Sequence, residues 1–175
     1  MTFCITGNRP EKFPFDYNDA DSERMKLYRD ELERAARELL MEGYDKIITG
    51  MARGVDLDFA LCVLRLKAEN PEFSGVILEA AVPYRSQPSG YEPSERAKYD
   101  EVIKKADKVT YVCERYVSDC FFKRNMYMVD NADLVLAVWN EKESGGTYGT
   151  LKYAFFREKK IKMISLKRIA ATTAL

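Results

Sequence analysis

With 175 residues, 46% of them hydrophobic and 32% charged, the chain has the composition of an ordinary globular domain with material for a substantial core. Its 28 lysines and arginines balance 28 aspartates and glutamates, which argues against a surface organised to grip a polyanion, because that requires clustered positive charge. Histidine is absent, so a Ser-His-Asp triad, a Cys-His pair and a histidine-based zinc site are all excluded.

The first apolar run, 2–6, ends in Ile5-Thr6-Gly7 and is followed by Asn8-Arg9-Pro10. A helix is predicted over 21–42, where Met25, Tyr28, Leu32, Ala35, Ala36, Leu39 and Leu40 recur at spacings of three and four and Gly43 supplies a stop. The second strand, 46–49, ends as the first does, in Ile48-Thr49-Gly50, and Met51-Ala52-Arg53-Gly54 follow. Helix 54–70 is apolar nearly all round and should be deeply packed. A strand over 76–82 leads into Pro83-Tyr84-Arg85, then a helix over 94–106, a strand over 108–112 and a helix over 119–131. The fifth strand, 133–139, is apolar on both faces, as a central parallel strand should be. It runs through Asn140 into Ser144-Gly145-Gly146-Thr147-Tyr148-Gly149-Thr150, with a helix over 147–159 and a strand over 161–166 beyond. Residues 167–175 read as a frayed tail.

This alternation predicts one α/β domain over 1–175, a Rossmann-like open sheet of about six mainly parallel strands with helices on both faces. No run of about 18 apolar residues is present, and the N-terminus lacks the basic start and apolar stretch of a signal peptide, so a cytoplasmic location without membrane contact is expected. Cys4, Cys62, Cys113 and Cys120 show no metal-ligand spacing and read as small hydrophobes; no metal or cofactor is expected.

In such sheets ligands bind outside the carboxyl ends of the strands. There the first loop offers Gly7 and Arg9, and the second offers Gly50, Arg53, Gly54 and Asp56. Tyr84 ends the third strand, while Asn140, Ser144, Gly145, Gly146, Thr147 and Thr150 follow the fifth. Glycines let a ligand approach the backbone, helix N-termini favour anions, and arginine forks match phosphate or carboxylate. Each feature also has a plainer reading. The threonines can cap a helix, the arginines can be surface charges, Asp56 can cap the second helix instead of accepting ribose hydroxyls, and Tyr84, Phe13, Phe15 and Tyr17 can pack internally instead of stacking on a base. Arg124 and Asn125 can reach the crevice from the side, or Arg124 can lie on the surface.

Taken in order, "ITGNRP", "ITGMARGVD", "RNMYMVDNADLVLAVWN" and "SGGTYGTLKYA" resemble the SLOG superfamily, the Rossmann-like group that includes DprA/Smf and the Lonely Guy hydrolases, and most of all its small YpsA-like bacterial branch. The resemblance implies a pocket for a nucleotide or nucleotide-derived ligand such as ADP-ribose, serving a sensor, regulator or sequestering protein, and a homodimer. Lonely Guy enzymes carry P-G-G-x-G-T-x-x-E. Here Ser144 replaces the proline, Thr147-Tyr148 stand where one residue is expected, and Tyr153 occupies the glutamate's position. Phosphoribohydrolase activity is therefore the second reading, with Arg124 matching the family arginine and Asp130 or Glu141 as the carboxylate. An interaction module with a vestigial pocket is the third. Nucleic acid is not an expected partner.

Overall fold

The computed structural model describes residues 1–172. Strands β1 (Thr2–Gly7), β2 (Lys46–Thr49), β3 (Ile77–Tyr84), β4 (Lys108–Cys113), β5 (Leu134–Trp139) and β6 (Lys160–Ser165) form one sheet in the spatial order β4-β3-β2-β1-β5-β6. Every neighbouring pair is parallel, with Ile5 opposite Thr49 on one side and Leu136 on the other. The chain steps outward from β1 to β4, then returns to lay β5 against the free side of β1. The order of the strands therefore reverses between β1 and β5, and a crevice opens outside their carboxyl ends.

The two faces of the sheet are covered unequally. Helices α1 (Glu23–Met41), α2 (Val55–Glu69), α3 (Pro93–Lys105) and α6 (Leu166–Ala171) pack on the face formed by Phe3, Ile5, Ile47, Leu78, Leu136 and Val138. Helices α4 (Cys120–Asp130) and α5 (Gly145–Phe156) cover the other, formed by Cys4, Ile48, Ala81 and Val135. That odd and even residues of one strand serve opposite faces follows from the two-residue period of the pleat. Ser22 opens α1 by accepting a hydrogen bond from the Met25 N–H at 3.3 Å, and α3 begins with a reciprocal capping box between Glu92 and Glu95.

The C-terminal segment corrects the sequence reading. Leu166–Ala171 form a helix, not a frayed tail, because Leu166 and Ile169, three apart, are buried against the sheet and the Ser165 hydroxyl accepts from the Arg168 N–H. Residues 173–175 of that expected tail lie outside the described residues. Helix α5 also starts two residues before the predicted position, at Gly145. Cys4 and Cys120 are buried, Cys62 and Cys113 partly so, and all four are free; burial pushes the Cys4 thiol up to about 12. Among the described residues no group of three or more Cys, Asp or Glu is placed to hold a metal ion, and no helix is long and apolar enough to cross a membrane.

Candidate functional site

A cavity of about 520 Å³ occupies the crevice between the ends of β1 and β5. The end of β1 and its loop supply Thr6, Gly7, Asn8, Arg9, Glu11 and Lys12, and the turn into α2 supplies Ala52 and Asp56. Helix α4 supplies Phe121, Arg124, Asn125 and Met128, and the turn into α5 supplies Asn140, Lys142, Ser144, Gly145, Gly146 and Thr147.

Side-chain amides hold the loops together. Asn8 accepts from the Asn140 backbone N–H at 2.8 Å, and the Asn140 side chain donates to the Lys12 carbonyl at 2.9 Å while accepting from the Lys142 N–H at 3.1 Å. Asn140 thus fixes the wall between the β1 and β5 loops. Gly54, at φ +80°, begins α2, and a Cβ there would come within 2.9 Å of the Asn8 carbonyl. A side chain would be strained in conformation and would push the two loops apart. At Gly50 a Cβ would overlap the Arg124 guanidinium, which lies against that turn and donates to the Gly50 carbonyl.

The floor is a buried ion pair. Asp56 and Arg124 are each 5% exposed, with an oxygen-to-nitrogen distance of 3.8 Å. Asp56 also accepts from the Ala52 N–H at 3.3 Å, so its carboxylate closes the β2–α2 turn and does not serve as the cap of α2. Burial raises its carboxyl from 3.8 to about 6, against the opposing pull of Arg124 and the Ala52 N–H. Burial likewise lowers the Arg124 pKa from its usual value, with Asp56 countering it; a guanidinium stays charged regardless. Arg124 is therefore an interior cation of the cavity, and its surface alternative does not hold.

Around the rim stand Arg9, Lys12 and Lys142, which make no ion pair among the described residues. The Arg9 guanidinium lies 5.7 Å from the centre of the Phe121 ring. Ser144 precedes α5 in extended conformation and makes no side-chain cap, and Gly145 follows at φ +84°. The first amides of α5 thus begin at the cavity without the usual side-chain partner.

Not every residue singled out in the sequence reaches this cavity. Arg53 turns away to bind Glu11 and Glu95, both at 3.2 Å, and so acts on the cavity only by holding Glu11 at its edge. Gly50 and Gly54 shape the floor from behind. Thr150 is buried and donates to the Gly146 carbonyl at 2.9 Å. Tyr84 packs edge-to-face on Tyr116 and Phe121, backing the Phe121 wall without lining it. Phe13 meets Phe15, Tyr17 and Tyr28 edge-to-face, and Tyr17 donates to Asp58 at 2.7 Å; the internal-packing alternative is the one realised. Asp130 binds Tyr153 and Arg157 at the far end of α4, and Glu141 binds Ser165, so neither carboxylate lines this cavity.

Sequence reasoning passed over Glu11, Lys12, Phe121 and Lys142. The two lysines could have been found by comparing the loops after β1 and β5, the strands that flank the reversal. The repeated Ile-Thr-Gly marks β1 and β2 instead.

The chain is similar to known proteins over most of its length. The YpsA family model, described as "YspA SLOG family", matches residues 3–172. A UPF0398 protein of Oceanobacillus iheyensis is 29% identical over 153 residues, 85% of this chain and 80% of the relative. A UPF0398 protein of Lysinibacillus sphaericus is 27% identical over 143 residues, 81% of this chain and 77% of the relative. A UPF0398 protein of Bacillus thuringiensis is 26% identical over 144 residues, with 81% and 76% covered. With its parallel sheet, its reversal between β1 and β5 and a family match over nearly its whole length, the chain belongs to the YspA SLOG family.

Proposed function

We propose that the cavity binds a nucleotide or a nucleotide-derived anion of the ADP-ribose kind, and that the protein works as a sensor, regulator or sequestering protein for that ligand in the cytoplasm. The observation that carries this reading is that Arg9, Lys12 and Lys142, free of carboxylate partners among the described residues, line the same cavity as the uncapped start of α5. Cations, helix amides and small residues at a strand-order reversal suit a phosphate. Phe121 beneath Arg9 offers a face for a base, while Asp56 and Glu11 offer oxygen acceptors for sugar hydroxyls. A cavity of about 520 Å³ falls in the ordinary range for small-molecule sites.

A homodimer forms part of this reading. Phe122, Phe155, Phe156 and Met163, on α4, α5 and β6, are more than half exposed, and a second copy would cover such an apolar face.

The test is the thermal midpoint with AMP, ADP and ADP-ribose, each at about 1 mM. A ligand at 100 times its dissociation constant adds about 2.7 kcal/mol, a shift of several degrees for a domain of this size. An unchanged midpoint with all three would count against the proposal.

Hydrolysis of the ligand is the second reading, and Asp56 favours it. Its carboxyl, raised to about 6 within the cavity, would take a proton from the water that attacks C1′ and pass it to the base nitrogen that departs as the C1′–N bond breaks. Release of free base from AMP would establish it.

A further inference from the structure

A second cavity, of about 430 Å³, adjoins the first. Glu11, Lys12, Asn140 and Lys142 line both, so the two lobes lie on either side of the wall fastened by Asn140. Resting on the nucleotide reading, we infer that this lobe is a second subsite, taking the distal sugar of a nucleoside diphosphate that carries a further sugar, with the diphosphate crossing at the junction.

The junction has the chemistry for a bridging diphosphate. Asn140 pins the backbones of Lys12 and Lys142 on either side of itself, and both ammonium groups are without an ion-pair partner among the described residues.

Beyond the junction the lobe is lined by Phe13, Pro14, Glu141 and Lys167. Glu141 has a left-handed backbone, φ +61°, which a glutamate adopts only at a cost. Its carboxylate is held by the Ser165 hydroxyl, with Lys167 at 4.0 Å. Glu11, fixed from outside by Arg53, gives a second carboxylate. Two anchored acceptors beside a lysine match a polyhydroxyl group. A second base is a poorer fit, because Phe13 is already engaged edge-to-face by three rings at 5.0–5.4 Å and has little face left for stacking.

Affinities of AMP, ADP, ADP-ribose and NAD, measured by titration calorimetry, test the inference with wild type and two variants confined to the second lobe. Lys167→Glu reverses its charge; Glu141→Asn removes the carboxylate while keeping a residue that tolerates positive φ. ADP-ribose should bind at least about tenfold more tightly than AMP, with NAD no tighter than ADP-ribose. Either variant should erase most of that ratio while leaving AMP affinity near wild type. Equal wild-type affinities for AMP and ADP-ribose, or a ratio that survives both substitutions, would overturn the second subsite and leave the nucleotide reading standing. A preference for NAD would overturn the sugar assignment. Absence of binding by all four would remove the nucleotide reading and the subsite with it.

Discussion

Asp56 and Arg124 face each other at 3.8 Å on the floor of the cavity, both almost wholly withdrawn from solvent. The pair joins two elements that are distant in sequence, the start of α2 and the middle of α4, beneath the loops that form the rim. A buried pair of this kind contributes little net stability when complete, yet losing one member strands the other charge in a medium of low polarity.

The first prediction concerns pH. The Asp56 carboxyl is raised from 3.8 to about 6 in the fold, so between these values the native state holds a proton that the unfolded chain has released. Stability contributed by this group is therefore present at low pH and lost as pH rises from about 4 to about 6, by up to roughly 3 kcal/mol. Asp56→Asn should flatten this part of the profile. Urea denaturation at intervals from pH 4 to pH 8 checks it; identical slopes for wild type and variant would mean that Asp56 does not titrate in this way.

The second concerns Arg124. Arg124→Met roughly preserves its length but leaves Asp56 unpaired and takes a donor from the Gly50 carbonyl. It should destabilise by about 3–5 kcal/mol at pH 8 and by clearly less at pH 5, where Asp56 can protonate. A cost independent of pH would point to lost packing instead of a stranded charge.

The third concerns the β2–α2 turn. Gly54→Ala forces a side chain into positive φ and against the Asn8 carbonyl, and a loss of about 1–3 kcal/mol is expected. Arg53→Ala should cost under about 1 kcal/mol, because its partners Glu11 and Glu95 are at or near the surface. Thermal denaturation of the two variants side by side would rank them, and the reverse order would contradict the geometry.

The fourth concerns the rim cations. Lys12→Glu and Lys142→Glu should leave the stability of the free protein within about 0.5 kcal/mol of wild type, as surface substitutions usually do. Each should weaken nucleotide affinity at least about tenfold at low salt, with a smaller effect as salt screens the charge. Titration at two ionic strengths would decide this.

Much of the fold was legible because its signals are local. The apolar run at 133–139 and the period of α1 each report burial within a few residues, and both elements lie close to where those patterns put them. Helix α6 escaped because two apolar residues three apart make too short a pattern to read. The lining of the cavity was legible where it rests on strand ends, as at Gly7, Asn140 and Gly145–Thr147. It was misleading at Arg53, whose partners Glu11 and Glu95 each lie 42 residues away; no local pattern announces that such a charge is already claimed. Phe121 was invisible for the same reason, since α4 brings it beside the cavity only once the sheet order is known.

Calorimetric titration of wild type and Gly146→Asp with AMP and ADP-ribose asks whether the start of α5 holds a phosphate. A Cβ at Gly146 would meet nothing within 4 Å, and an acidic residue in the first turn of a helix is favourable, so the variant should fold with an unchanged or higher midpoint. Its carboxylate would stand where the phosphate is proposed to sit. The wild type should bind both ligands and the folded variant neither; undiminished affinity in that variant would rule out a phosphate at the start of α5.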